Sequence, residues 1–148
     1  EIFVASPVLG LIESGLWRFP LPAGTRSTLL PTDAGDGTFN FAGWPIQMAD
    51  GSLNFFYANT VGIPDGTVPL KMINAHPDSI GTILTLRPEN WEFYDVLWHP
   101  DGSHAMVVQD PPGDDFDWPR TGPIEMVDTI GSPTVPIAPD GYNLQWGP

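Results

Sequence analysis

Cysteine is absent from the 148 residues. That excludes disulfide cross-links, thiolate metal sites and cysteine nucleophiles. Basic residues are scarce: five Lys and Arg stand against eighteen Asp and Glu, a formal charge of −13. Phosphate recognition needs clustered cations, so neither nucleic acid nor an anionic membrane is expected as a partner. The single lysine, Lys71, lies in an apolar run, and no glycine-rich phosphate loop accompanies it. No apolar stretch reaches the length of a membrane span. A Gly-x-Ser-x-Gly elbow is missing, and no serine has an evident histidine partner. His76, His99 and His104 show neither His-x-His nor His-x-x-x-His spacing, so zinc is not signalled. His99 and His104 read as exposed turn residues, and His76 as part of an outer-rim hairpin. Helical periodicity is also lacking. The best window, residues 8–13, is short and flanked by Pro7 and Gly15, and reads as loop.

What is present is a core's worth of apolar residues, 41% of the chain, punctuated by 18 Pro and 16 Gly. Such a composition suits many short strands joined by frequent turns. Three segments align: Phe39-Asn40-Phe41-Ala42-Gly43-Trp44-Pro45, Phe93-Tyr94-Asp95-Val96-Leu97-Trp98-His99-Pro100 and Tyr142-Asn143-Leu144-Gln145-Trp146-Gly147-Pro148. Each is aromatic-rich and ends in Trp with Pro close behind. Their tryptophans lie 54 and 48 residues apart.

Asp101-Gly102 follows the second copy directly, and Asp50-Gly51 follows the first after a few more residues. Asp-Gly between two apolar runs signals a hairpin. The second runs are 53–58 and 105–108. A third run follows at 16–21, 69–73 and 123–127, and a fourth at 28–30, 82–86 and 134–137. Each unit therefore has four strands, a length usual for propeller blades.

The stretch Trp98-His99-Pro100-Asp101-Gly102-Ser103-His104-Ala105-Met106-Val107-Val108 resembles the core motif of TolB-like propeller repeats. In that family a Trp-Ser-Pro-Asp-Gly turn joins the innermost strand of a blade to the second. Gly15-Leu16-Trp17-Arg18-Phe19-Pro20-Leu21 and Gly122-Pro123-Ile124-Glu125-Met126-Val127-Asp128 resemble the family's third strand. The resemblance implies an all-β propeller of four-stranded antiparallel blades. Residues 1–38 would supply strands two to four of one blade, 39–92 a second blade, 93–141 a third, and 142–148 the first strand of another.

The chain opens at Glu1 without Met, as expected of a protein that has lost a signal peptide or of a fragment. Glu1-Ile2-Phe3-Val4-Ala5 reads as a second strand lacking its first, and residues 142–148 as a first strand lacking its second. Three blades close too tightly for the usual ring, and an open arc exposes strand edges. A second chain supplying three more blades is expected to complete six. The alternative is that the chain is a piece of a longer propeller.

The loops of one face would surround the channel mouth. The richest is Asp110-Pro111-Pro112-Gly113-Asp114-Asp115-Phe116-Asp117-Trp118-Pro119-Arg120. Asp114, Asp115 and Asp117 are the candidate metal ligands, calcium being the hard cation that oxygen donors suit. Trp118, Arg120 and, from Pro88-Glu89-Asn90-Trp91-Glu92, Trp91 are the candidate ligand platform. Asp33, Asp36 and Gly37 resemble turn chemistry more than a metal cage. The leading functional reading is a non-catalytic module for protein, peptide or glycan binding and assembly, in a periplasmic or extracellular setting. A hydrolase or lyase using channel-mouth carboxylates, and a purely structural piece of a larger propeller, are the alternatives.

Overall fold

The computed structural model describes residues 1–5, 15–22, 24–61, 68–109 and 121–147. It is all-β: eleven strands form three antiparallel sheets, and no α-helix occurs among the described residues. Sheet I holds β1 (Ile2–Ala5), β2 (Leu16–Phe19) and β3 (Ser27–Leu30). Sheet II holds β4 (Thr38–Gln47), β5 (Leu53–Val61), β6 (Leu70–Ala75) and β7 (Leu84–Trp91). Sheet III holds β8 (Phe93–Trp98), β9 (His104–Gln109), β10 (Gly122–Asp128) and β11 (Val135–Gly141). In every sheet, consecutive strands are hydrogen-bonded neighbours, so each is a simple meander.

The sheets stack in the order I, II, III. The pattern of β5 shows why the middle one is the most apolar. Leu53, Asn54, Phe55 and Phe56 are all buried in succession, as expected where both faces of a sheet are covered. Leu53 and Phe55 join Ile73 and Ala75 of β6 in a core shared with Leu16 and Leu30 of sheet I. Phe56, with Phe41, Leu70 and Met72, points the other way and packs on Phe93, Val96, Trp98, Ala105, Val107 and Val127 of sheet III. The two-residue alternation of a strand sorts one run of residues into two separate cores. Each buried phenylalanine contributes roughly 1.5–3 kcal/mol of transfer free energy.

Polar groups pin these interfaces. Between sheets I and II, Asn40 donates from Nδ2 to the Pro31 carbonyl at 2.9 Å, and Arg18 meets Asp78 at 3.6 Å. Between sheets II and III, Asn54 donates from Nδ2 to the Gly102 carbonyl at 3.1 Å. Arg87 of β7, only 4% exposed, donates to the Ser132 carbonyl at 2.8 Å and approaches Asp128 Oδ1 at 3.4 Å.

The two ends of the stack are unlike the middle. Phe3 and Ala5 of β1 face sheet II, which leaves Ile2 and Val4 on the opposite face, exposed. Leu97, Met106 and Met126 are cross-strand neighbours on the face of sheet III that points away from sheet II. Among the described residues, β1 has a hydrogen-bonded neighbour on one side alone, β2. Residues 142–147 belong to no sheet.

Candidate functional site

Three tryptophans form the most regular feature of the molecule. Trp98 donates its indole Nε1–H to the Trp44 carbonyl at 2.7 Å, and Trp146 donates to the Trp98 carbonyl at 2.8 Å. The separations along the chain are 54 and 48 residues, the repeat lengths read from the sequence. The local backbone explains how the first acceptor is presented. The register between β4 and β5 shifts between Gly43 and Ile46, and Trp44 takes a positive φ of 50° there. A bulge of this kind re-aims a backbone group at modest strain. Trp98 fills the space it faces, stacking on Phe56 at 5.4 Å between centroids. Among the described residues, the Trp44 indole N–H has no such acceptor.

A second recurrence lies in the turns. Asp50-Gly51-Ser52 and Asp101-Gly102-Ser103 close the β4–β5 and β8–β9 hairpins with matching hydrogen bonds. Asp50 Oδ1 accepts from the Ser52 amide and hydroxyl at 2.9 and 2.7 Å. Asp101 Oδ1 accepts from Ser103 in the same way at 2.9 and 2.6 Å. Gly51 and Gly102 sit at φ 86° and 70°, a region that favours glycine. Asp36-Gly37-Thr38 repeats the pattern, with Asp36 Oδ1 accepting from Thr38 at 3.0 and 2.6 Å, so this segment is turn chemistry. The hydroxyl and amide donors hold all three carboxyls below the usual aspartate range, most strongly at Asp101, where His99 adds to the Ser103 bonds.

The Asp101 turn gathers more than its relatives. His99 Nδ1 lies 2.7 Å from Asp101 Oδ1. Ser103 Oγ lies 2.8 Å from His104 Nδ1. The His99 and His104 rings stack at 4.5 Å and 21°, and Trp146 stands edge-on to both, at 5.3 and 5.8 Å. The backbone causes this meeting: His99 N–H donates to the His104 carbonyl at 2.9 Å, closing the turn. Spacing rules for histidine pairs on one element miss a pair joined across a turn. The Ser103 hydroxyl donates to Asp101 Oδ1 at 2.6 Å, so in this arrangement it is engaged by the carboxylate rather than by an imidazole.

Of the residues expected to bind ligand, Trp91 is described. It ends β7 rather than standing in a loop, because the segment 87–91 continues the strand. Its half-buried ring is engaged on several sides: Phe56 at 6.3 Å, Phe93 at 6.5 Å and the Arg87 guanidinium at 5.3 Å. It lines a shallow groove of about 410 Å³ with Pro69, Asn90, Glu92 and Gln109. Trp118 and Arg120, and the expected calcium ligands Asp114, Asp115 and Asp117, lie outside the described residues.

No family model, curated protein or solved structure matches the chain. Its functional reading therefore rests on its own geometry: the tryptophan series, the recurring turns and the open faces at the two ends of the stack.

Proposed function

We propose that the chain is a non-catalytic assembly module, three blades of a TolB-like β-propeller whose ring a second copy completes. The observation that carries this reading is the directional tryptophan series, in which Trp146 donates to Trp98 and Trp98 to Trp44. Each step crosses from one repeat to the preceding one. Among the described residues, the series leaves a donor in Trp44 at one end and a carbonyl in Trp146 at the other without a partner.

The faces agree with that direction. Leu97, Met106 and Met126 occupy on sheet III the positions that Gly43, Phe56 and Met72 occupy on sheet II. The sheet II set faces the next sheet, so the sheet III set is placed to face one too. Ile2 and Val4 present the opposite kind of face, the one that meets a preceding sheet. A second copy brings that face to sheet III, and the 142–147 segment of the first copy to the free edge of β1. Repeating the contact about a two-fold axis leaves no open end, which is the closure that keeps such an interface from propagating into fibres. The resulting ring would present its loops around a central mouth as a surface for a protein, peptide or glycan ligand.

The experiment is light scattering on the full chain beside two variants. Val4→Lys places a charge on the β1 face, a common device against edge pairing. Trp146→Ala removes the terminal indole. Each is expected to raise the concentration needed for association at least tenfold while the β-sheet circular dichroism is retained. Unchanged association in both variants would refute the proposed interface.

A further inference from the structure

We infer that the β8–β9 turn is a binding site for a divalent transition-metal ion, with the imidazoles of His99 and His104 as donors and Asp101 and Ser103 in contact with their Nδ1 atoms. One donor atom from each of His99, Asp101 and His104 lies within 4.8 Å of the other two. These residues are no helical or strand pair. They are held together by the backbone bonds of the turn, His99 N–H to the His104 carbonyl at 2.9 Å and Gly102 N–H to the His99 carbonyl at 2.8 Å. The hairpin therefore holds the two residues side by side before an ion arrives, and what remains is to orient the rings.

The hydrogen bonds set which nitrogens are free. Ser103 Oγ gives its proton to Asp101 Oδ1 at 2.6 Å. Its oxygen is then the acceptor in the 2.8 Å contact with His104 Nδ1, which puts the proton on Nδ1 and a lone pair on Nε2. His99 Nδ1 faces the turn in the same way, 2.7 Å from Asp101 Oδ1 and 3.4 Å from the Asp101 backbone nitrogen that donates to it. That leaves Nε2 of His99 as the ring nitrogen directed away from these partners. A carboxylate or hydroxyl holding the far nitrogen of a ligating histidine is the usual outer-sphere support of a metal site.

The chemistry selects the class of ion. Two imidazoles suit Zn²⁺, Cu²⁺ or Ni²⁺, whereas Ca²⁺ and Mg²⁺ require several oxygen ligands. The rings stack at 4.5 Å and 21°, so binding needs each to turn about its Cβ–Cγ bond for the lone pairs to converge. Trp146 lies within 6 Å of both ring centroids, at 5.3 and 5.8 Å, and so reports the event optically. The inference is independent of the assembly proposal, because every donor comes from one chain.

The test is calorimetric titration of the full chain with Zn²⁺ near neutral pH, paralleled by quenching of tryptophan fluorescence with Cu²⁺. One ion per chain is expected, and Ca²⁺ in excess should not displace it. His99→Gln and His104→Gln, both conservative changes at the surface, should each weaken binding at least tenfold. Asp101→Asn should weaken it about tenfold through its effect on His99. His76→Gln removes the remaining histidine, which lies in the β6–β7 connection, and should change nothing. No saturable Zn²⁺ binding, or equal affinity in His104→Gln, would overturn the assignment, as would loss of binding in His76→Gln.

Discussion

The Trp98 indole N–H is bonded to the Trp44 carbonyl at 2.7 Å, across the interface between two sheets and 54 residues of chain. The bond ties the position of one sheet to a strained point in its neighbour, since Trp44 has φ 50°. Trp98→Phe keeps an aromatic ring against Phe56 but removes the donor, leaving a part-buried carbonyl unpaired. A loss of about 1–3 kcal/mol is expected, read as a lower urea midpoint with an unchanged slope. Trp146→Phe removes the matching bond from an indole that is 38% exposed, where water can replace it, and should cost less.

Arg87 is a second fastening between the same sheets. It reaches the Ser132 carbonyl and Asp128 while its own strand supplies Glu89 at 3.3 Å. Arg87→Met retains the apolar stem but strands these acceptors, and about 2–4 kcal/mol of stability should be lost. Arg87→Lys restores the charge without the planar fork, so it should recover less than half of that loss. Urea unfolding of the three proteins measures both effects.

Gly102 and Gly131 both require positive φ, 70° and 91°. A methyl group on Gly131 would meet nothing within 4 Å, whereas one on Gly102 would run into the side chain of Met48, in the β4–β5 connection. Gly131→Ala should cost about 1 kcal/mol, the backbone penalty alone. Gly102→Ala should cost measurably more than Gly131→Ala, by under about 1 kcal/mol, since the flexible Met48 thioether must swing aside. Thermal melts of the two variants make the comparison, and equal losses would contradict the inter-sheet contact.

The turn aspartates give stability a defined acid dependence. Hydrogen bonds from Ser52, Ser103 and Thr38 hold Asp50, Asp101 and Asp36 below their ordinary values. A carboxyl lowered in the folded state stabilises above its unfolded pKa, about 4. That contribution is lost as pH falls through the lowered folded value. The double variant Ser52→Ala/Ser103→Ala should therefore lose less melting temperature between neutral and strongly acid pH than the parent. A parallel pair of pH profiles would show that these bonds carry no linkage.

Much of this architecture was legible because strand alternation and Asp-Gly turns are local signals. The tryptophan repeat was legible too, since residues filling equivalent positions keep their spacing. Segment 87–91, expected among the channel-mouth loops, instead continues β7 through Pro88, Glu89 and Asn90. They are tolerated in β7, an edge strand of its sheet, where a proline without an N–H breaks no interior ladder. The same holds for Pro136 and Pro139 in β11. The His99–His104 pair was hidden for another reason. Its proximity is made by a turn closing between residues five apart, and no periodic template describes that.

The account rests most heavily on two open ends completing one another. Sedimentation velocity of the unmodified full chain at micromolar concentration measures this directly. A single species of two chains, twice the 16.1 kDa of one, is the predicted result. A stable 16.1 kDa monomer whose β1 amides resist hydrogen exchange on both sides of the strand would contradict it.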